Sequence, residues 1–323
     1  MGFSGSTLPW PYDGHGVSTD RYRFDGRVAI VTGAGRGIGR AHALLLAERG
    51  ASVVVNDLGG SMDGVGVDQA VARTVADEIV ANGGAAIADG SDVSTPEGGA
   101  ALVDAAVREF GRLDVLVNNA GIIRWAGFPD ADAENLAQHL AVHLGGSFNT
   151  TRAAWPQMVE QRYGRIVMTT STGMFGLPTN LSYAAAKAAV IGLTRSLTTA
   201  GAEHGIKVNL IAPAAFTRMA GGGSGPPQMA PEHVAPMVAF LAHEDCPVNG
   251  EIYAAGAGRF ARIFIASTPG YVHPAADPTV EDVAANWATI NDETGYYVPA
   301  DLTSWSAAFT AHLRPSSAGP DGS

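Results

Sequence analysis

Arg27-Val-Ala-Ile-Val-Thr-Gly-Ala-Gly-Arg-Gly-Ile-Gly39 decides how this chain folds. Val28 to Thr32 is a short, almost wholly apolar run, the signature of a strand covered on both faces. The glycines that follow open a turn into a helix predicted from about Gly37 to Arg49, and Ala51 to Asn56 reads as a second strand. Strand, glycine turn, helix and strand in that order bring a phosphate to a helix N-terminus, where free N–H groups and the helix dipole favour an anion. Ile38 stands where a strict G-x-G-x-x-G would need its last glycine, and the turn fits T-G-x-x-x-G-x-G from Thr32 to Gly39. The glycines of this turn, with Arg36 and Ile38 among them, let the backbone bend sharply and let a pyrophosphate approach the helix start. Asp57, just past the second strand, is placed to accept hydrogen bonds from an adenosine ribose and to repel a 2′-phosphate, which points to NAD. Arg36 is the competing signal for NADP.

The alternation continues outward. Helices are predicted over 69–81 and 96–110, two more over 131–162, and others over 181–201 and 231–243. Strands are predicted over 85–88, 113–118, 164–170, 206–211 and 251–254. The expected fold is α/β: a Rossmann-like, doubly wound parallel sheet of about seven strands. It occupies residues 23–257, preceded by an arm over 1–22. It is followed by a C-terminal appendage, 258–323, packed on the same domain and ending in a frayed tail. In the appendage Thr279-Val-Glu-Asp282 resembles a capping box, and Val283, Trp287 and Ile290 form one apolar helical stripe expected to serve packing. The Gly- and Pro-rich run 220–227 breaks the pattern and is expected as a lid. A large substrate would be shaped by that run and by the appendage.

Composition narrows the function. With 46% hydrophobic residues in 323, the chain builds a core without disulfides, and its single Cys246 suits a reducing compartment, read as the cytoplasm. A net charge of −11 disfavours nucleic acid and anionic membrane surfaces as partners. There is no basic, then apolar, leader and no apolar run long enough to span a bilayer. The final Asp321-Gly322-Ser323 does not match a peroxisomal address.

Tyr183-Ala-Ala-Ala-Lys187 carries the chemistry. Spacing of i, i+4 places phenol and ammonium on one helix face, where a nearby positive charge is expected to lower the phenol toward a working acid/base range.

Taken in order, the Thr32 to Gly39 turn, Asn118-Asn119-Ala120-Gly121, Ser171 and Tyr183-x-x-x-Lys187 resemble the short-chain dehydrogenases/reductases over residues 24–257. Arg23-Phe-Asp-Gly-Arg27, Val53-Val-Val-Asn-Asp-Leu-Gly-Gly60, Val142-His-Leu144, Thr151-Arg-Ala-Ala-Trp155 and Tyr163-Gly-Arg-Ile166 look like the (3R)-hydroxyacyl-CoA dehydrogenase part of peroxisomal multifunctional enzymes, also called a 17β-hydroxysteroid dehydrogenase. The hydratase and sterol-carrier parts of those enzymes are not in this sequence. The resemblance implies Gly33, Gly37 and Gly39 at the pyrophosphate, Asp57 at the adenosine ribose, Asp92 and Val93 at the adenine, and Asn119, Ala120 and Gly121 as the floor of the cofactor cleft. Tyr183 would exchange a proton with the substrate oxygen, Lys187 would bind the nicotinamide ribose and lower the Tyr183 phenol, and Ser171 would hold the reacting oxygen. A homodimer or homotetramer is implied as well.

Three positions depart from the family pattern. His143 stands where most members have an Asn that supports the proton relay, and either its imidazole or a main-chain water relay is expected there. His139, one turn away, would give a two-ligand metal site with no third ligand, so no metal is expected. The spacing 183 − 171 = 12 is one residue short and points to Thr170, but register counted from His143 through Gly164-Arg165-Ile166 selects Ser171, since a one-residue slip turns a strand side chain to the other face. Pro213-Ala214 replaces a common Pro-Gly near the nicotinamide.

The expectation is an NAD-dependent oxidoreductase interconverting a secondary alcohol and a ketone, on a 3-hydroxyacyl-CoA or a steroid-like substrate. An NADP-dependent carbonyl reductase and a non-catalytic NAD-binding protein are the rivals.

Overall fold

The computed structural model describes residues 22–217, 219, 225–275 and 277–313. The predicted arm lies outside these residues except for Tyr22, as do the tail from 314 onward and 220–224 of the predicted lid.

Eight strands form one sheet. They are β1 (Val28–Thr32), β2 (Ser52–Asn56), β3 (Ala85–Asp89), β4 (Val115–Asn118), β5 (Gly164–Thr169), β6 (Ile206–Pro213), β7 (Ile252–Gly256) and β8 (Arg259–Ile263), in spatial order β3-β2-β1-β4-β5-β6-β7-β8. The first seven are parallel, and Val31 of β1 pairs with Val55 on one side and Val117 on the other. Strand order reverses between β1 and β4, and such a switch point opens a crevice at the carboxyl ends of the strands. The eighth strand is a finding beyond the expected seven. Ala257 and Gly258, at φ 52° and 72°, turn the chain back so that β8 runs antiparallel along β7. Its residues Arg259-Phe-Ala-Arg-Ile263 belong to the stretch assigned from sequence to the appendage.

Helices cover both faces. On one, α1 (Gly37–Glu48), α2 (Ala70–Ala81) and α7 (Ala235–Ala242) bury Leu46, Ile79 and Val238 against Val31, Val53 and Val55. On the other, α3 (Pro96–Phe110), α5 (Gly146–Gln161) and α6 (Leu181–Gly201) bury Leu102, Met158 and Val190 against Ile30, Val54 and Met168. Neighbouring residues of β2 thus serve opposite layers, and each fully buried side chain of this size stabilises the fold by about 1.5–3 kcal/mol. The helix α4 (Ala133–His139), started by the Asp132 carboxylate accepting the Asn135 N–H, continues into α5 through one π-helical turn, Leu140–Gly145. That turn carries His143.

Beyond β8 lie α8 (Val280–Ala285), α9 (Trp287–Ile290) and α10 (Leu302–Phe309). The capping box at Thr279 and Asp282 forms, but Asn286 ends α8. The single stripe expected from Val283 to Ile290 is therefore divided between two short helices, with Val283 and Trp287 exposed and not packed. Arg195 of α6 ties this segment down by donating to the carbonyls of Pro299 and Ala300 at 2.5 and 2.9 Å.

Candidate active site

A cleft of about 830 Å³ opens where the strand order reverses, and every site residue singled out from the sequence lines it. At its centre the glycine turn is held by its own backbone. Gly33 sits at φ 61°, and a Cβ on Gly39 would lie 2.2 Å from the Gly33 carbonyl oxygen and 2.5 Å from Nδ2 of Asn119. Only glycine fits at 39. The helix α1 starts from Arg36 with no side-chain cap, in contrast to α3, whose Thr95 hydroxyl accepts the Gly98 N–H, so its first N–H groups face the cleft uncapped. Asn119 Nδ2 donates to the carbonyls of Thr32 and Gly33 at 2.9 and 3.1 Å, and the N–H groups of Asn119 and Ala120 both donate to the Thr32 hydroxyl at 3.0 Å. These bonds clamp the carboxyl ends of β1 and β4 together.

Asp57 follows β2, where one carboxylate oxygen accepts the Gly35 N–H at 2.9 Å and the other accepts the Gly59 N–H at 2.7 Å. Arg36 also lines the cleft and donates to the Gly60 carbonyl at 3.2 Å. Asp92 accepts the Ser94 N–H at 2.9 Å, and Val93 is buried beside it. A glycine-rich elbow, an uncapped helix start and an acidic residue past β2 are what a dinucleotide requires.

At the far end stand Ser171, Tyr183 and Lys187. Tyr183 and Lys187 lie on α6. Ser171 follows β5, its hydroxyl accepting the Gly173 N–H at 3.0 Å and lying close enough to the Tyr183 phenol to draw it down. Thr170 is buried and its hydroxyl donates to the Lys187 carbonyl at 2.9 Å. The residue at 171, not 170, thus faces the phenol. Lys187 is buried, donates from Nζ to the Thr169 carbonyl at 2.8 Å, and is held down at about 7 by loss of solvation. The expected lowering of Tyr183 is corrected by the structure. Burial pushes its phenol above the ordinary value, opposed by the Ser171 hydrogen bond, because the ammonium is directed at the Thr169 carbonyl and not at the phenol oxygen.

His143 is buried. Its Nε2 lies 2.8 Å from the Ile122 carbonyl, which makes that nitrogen the donor and leaves Nδ1 a bare acceptor with no partner among the described residues. Burial, followed by the Lys187 charge, holds this imidazole well below its usual range, so it is neutral. Gly121 is what lets it in: a Cβ there would lie 2.5 Å from Cε1 of His143. Pro213 lines the cleft, and the Ala214 N–H donates to the Ala255 carbonyl at 2.8 Å.

Sequence reasoning missed two walls. The glycine-rich loop after Asp57 contributes Ser61 and Met62, and the runs after β4 and β5 contribute Ile123, Trp125 and Leu177. Four glycines between 59 and 66 were the available signal for the first. Among the described residues none beyond Pro231 lines the cleft, which corrects the expectation that the appendage shapes it. Also among the described residues, no three His, Cys, Asp or Glu side chains are grouped to hold a metal, and no helix is long and apolar enough to cross a membrane.

The family description "short chain dehydrogenase" matches residues 27–222. The chain belongs to the short-chain dehydrogenase/reductase family, and is an oxidoreductase acting on CH–OH donors with a nicotinamide dinucleotide. A short-chain type dehydrogenase/reductase of Mycobacterium tuberculosis is 44% identical over 83% of this chain and 95% of its own length. Peroxisomal multifunctional enzyme type 2 of Drosophila melanogaster is 42% identical over 85% of this chain, which spans only 47% of that enzyme. The structure of a 7α-hydroxysteroid dehydrogenase complexed with NADH and 7-oxo glycochenodeoxycholic acid superposes with a TM-score of 0.67 at 31% identity, covering 75% of this chain and 97% of that one.

Proposed function

We propose that this protein is an NAD-dependent dehydrogenase that interconverts a secondary alcohol and a ketone on a 3-hydroxyacyl-CoA or a steroid-like substrate. The observation that carries the reading is the pairing of the Ser171 and Tyr183 hydroxyls above the buried Lys187, at one end of a cleft whose other end is built for a dinucleotide. The bound nicotinamide supplies the hydride acceptor or donor. Ser171 donates a hydrogen bond to the reacting oxygen, and Tyr183 takes its proton on oxidation or returns it on reduction. Lys187 holds the ribose of the cofactor. The bare Nδ1 of His143 is available to accept a hydrogen bond from a water leading away from Lys187, the task an amide performs elsewhere in the family. The Asp57 carboxylate at the ribose position supports NAD over NADP. Substrate class is supported by the names of the relatives and by the apolar surface of Ile122, Trp125 and Leu177 beside Tyr183.

Exposed apolar side chains on the described appendage and on α5, among them Phe148, Trp287, Leu302 and Phe309, support a homodimer or homotetramer. The single thiol supports a reducing compartment, and the cytoplasmic reading is tested by fractionation against relatives named as peroxisomal.

The deciding experiment measures binding of NAD(H) and NADP(H) together with turnover of a 3-hydroxyacyl-CoA and a 17β-hydroxysteroid. NAD-linked oxidation of either is expected. Tight NAD binding with no oxidation of any alcohol in a broad panel would overturn the reading in favour of a cofactor-binding protein without turnover.

A further inference from the structure

Past β4 the chain leaves the sheet, yet the backbone of residues 122, 124 and 126 is hydrogen-bonded to one side and that of Ile123 to the other, in the manner of a strand. Ile122 meets Nε2 of His143, 2.8 Å from its carbonyl oxygen. Arg124 donates its N–H to Nε2 of His139 at 3.2 Å and accepts at its carbonyl from Nδ2 of Asn135 at 3.0 Å. Ala126 accepts the Leu181 N–H at 3.4 Å, next to Tyr183 on α6. On the opposite side Ile123 donates its N–H to the Met62 carbonyl at 3.0 Å.

The partners of Ile122 and Arg124 are side chains at 135, 139 and 143, four residues apart along one helical face. Four helical residues advance about 6 Å, close to the roughly 6.6 Å of two strand residues. A helix face therefore fills the place of the next strand.

His139 is central to this ladder and has no other role assigned to it. It is fully buried and does not line the cleft. Its Nδ1 lies 2.7 Å from the Asn135 carbonyl, which fixes the proton on Nδ1 and leaves Nε2 to accept from Arg124. Its ring stacks on His143, with centroids 5.9 Å apart, and meets the Tyr183 ring edge-on at 6.2 Å. The residue it holds, Arg124, is followed by Trp125, whose half-exposed indole lines the cleft.

We propose that His139 is a positioning residue: by accepting the Arg124 N–H it fixes the wall of residues 122–126 and sets the indole of Trp125 as the surface on which the apolar body of the substrate lies. The proposal rests on the dehydrogenase reading for its substrate, and on geometry alone for the wall.

The test compares His139→Leu, His139→Gln and Trp125→Ala with the wild type, using 3-hydroxyhexadecanoyl-CoA and 3-hydroxybutanoyl-CoA, with hydrogen exchange at the Arg124 amide measured in parallel. Loss of one buried acceptor is expected to raise KM for the long substrate about tenfold in His139→Leu, with kcat and the short-substrate KM changed by less than about twofold. Exchange at Arg124 should accelerate in the same variant. The side-chain carbonyl of His139→Gln offers an acceptor to the same N–H and should recover most of both effects. Trp125→Ala should reproduce the KM rise and cannot fail by loss of the buried imidazole, so the proposal stays testable if His139→Leu does not fold. Unchanged Arg124 exchange in His139→Leu, or a loss confined to kcat, overturns the proposal. A wild type that oxidises neither substrate overturns the acyl-CoA branch of the proposed function instead, while the exchange measurement still decides the wall.

Discussion

Nζ of Lys187 lies 5.8 Å from the centroid of the Tyr183 ring, one helical turn away on α6. It is anchored there by the Thr169 carbonyl, so the amine is fixed before any ligand meets it. If Tyr183 is the proton-exchanging group, Tyr183→Phe removes one hydroxyl and keeps the ring contacts with His139 and His143. Turnover should fall about 10²–10⁴-fold with NADH binding, followed by fluorescence titration, changed by less than about twofold.

Ser171 and Thr170 separate by direction. Ser171→Ala should lower kcat by about 10²–10³-fold while leaving the melting temperature near that of the wild type. Thr170→Val should cost about 1 kcal/mol of stability, because the Lys187 carbonyl loses its donor, and should leave kcat nearly unchanged. The reverse pattern would shift the register by one residue.

Gly39→Ala probes the elbow. The added methyl meets the Gly33 carbonyl and the Asn119 amide at once, both of them already fixed by β1 and β4. Forcing them apart costs about 1–3 kcal/mol, so dinucleotide affinity, measured by calorimetry, should fall about tenfold or more.

His42 gives the fold a pH dependence of its own. It is buried on α1 with neither ring nitrogen hydrogen-bonded to any described residue, and burial lowers its pKa from 6.5 to about 3. Between those values the unfolded chain binds a proton that the folded chain refuses, so stability rises with pH and is lost as pH falls below about 6.5. Going from pH 7.5 to 5 this single group should remove about 2 kcal/mol. Urea unfolding of His42→Leu should show a curve flatter by that amount, and an unaltered slope would refute the assignment.

Much of this was legible because glycines and apolar runs are local signals. The turn from Thr32 to Gly39 announces itself through residues that no other conformation needs, and the i, i+4 spacing of Tyr183 and Lys187 follows from helix geometry alone. Two kinds of feature were hidden. The strand β8 spans only five residues, Arg-Phe-Ala-Arg-Ile, without a clean period of two and inside a stretch whose composition has already changed, so it reads as appendage. The ladder from Asn135 to His143 joins side chains to backbone and leaves no trace in hydropathy. The direction of the Tyr183 shift was misread because spacing tells which face an ammonium shares, and not which acceptor it prefers.

The reversal at Ala257 and Gly258 has a consequence for the whole molecule. Because β8 runs against its neighbours, Ile263 comes level with Ile252, at the end of the sheet away from the cleft, where Arg195 also reaches both the Gly250 and the Pro299 carbonyls. Reaction chemistry and the tethered appendage thus sit at opposite poles of one sheet. A change at the Arg195 tether is therefore separated by the length of the sheet from the pole that holds dinucleotide and alcohol.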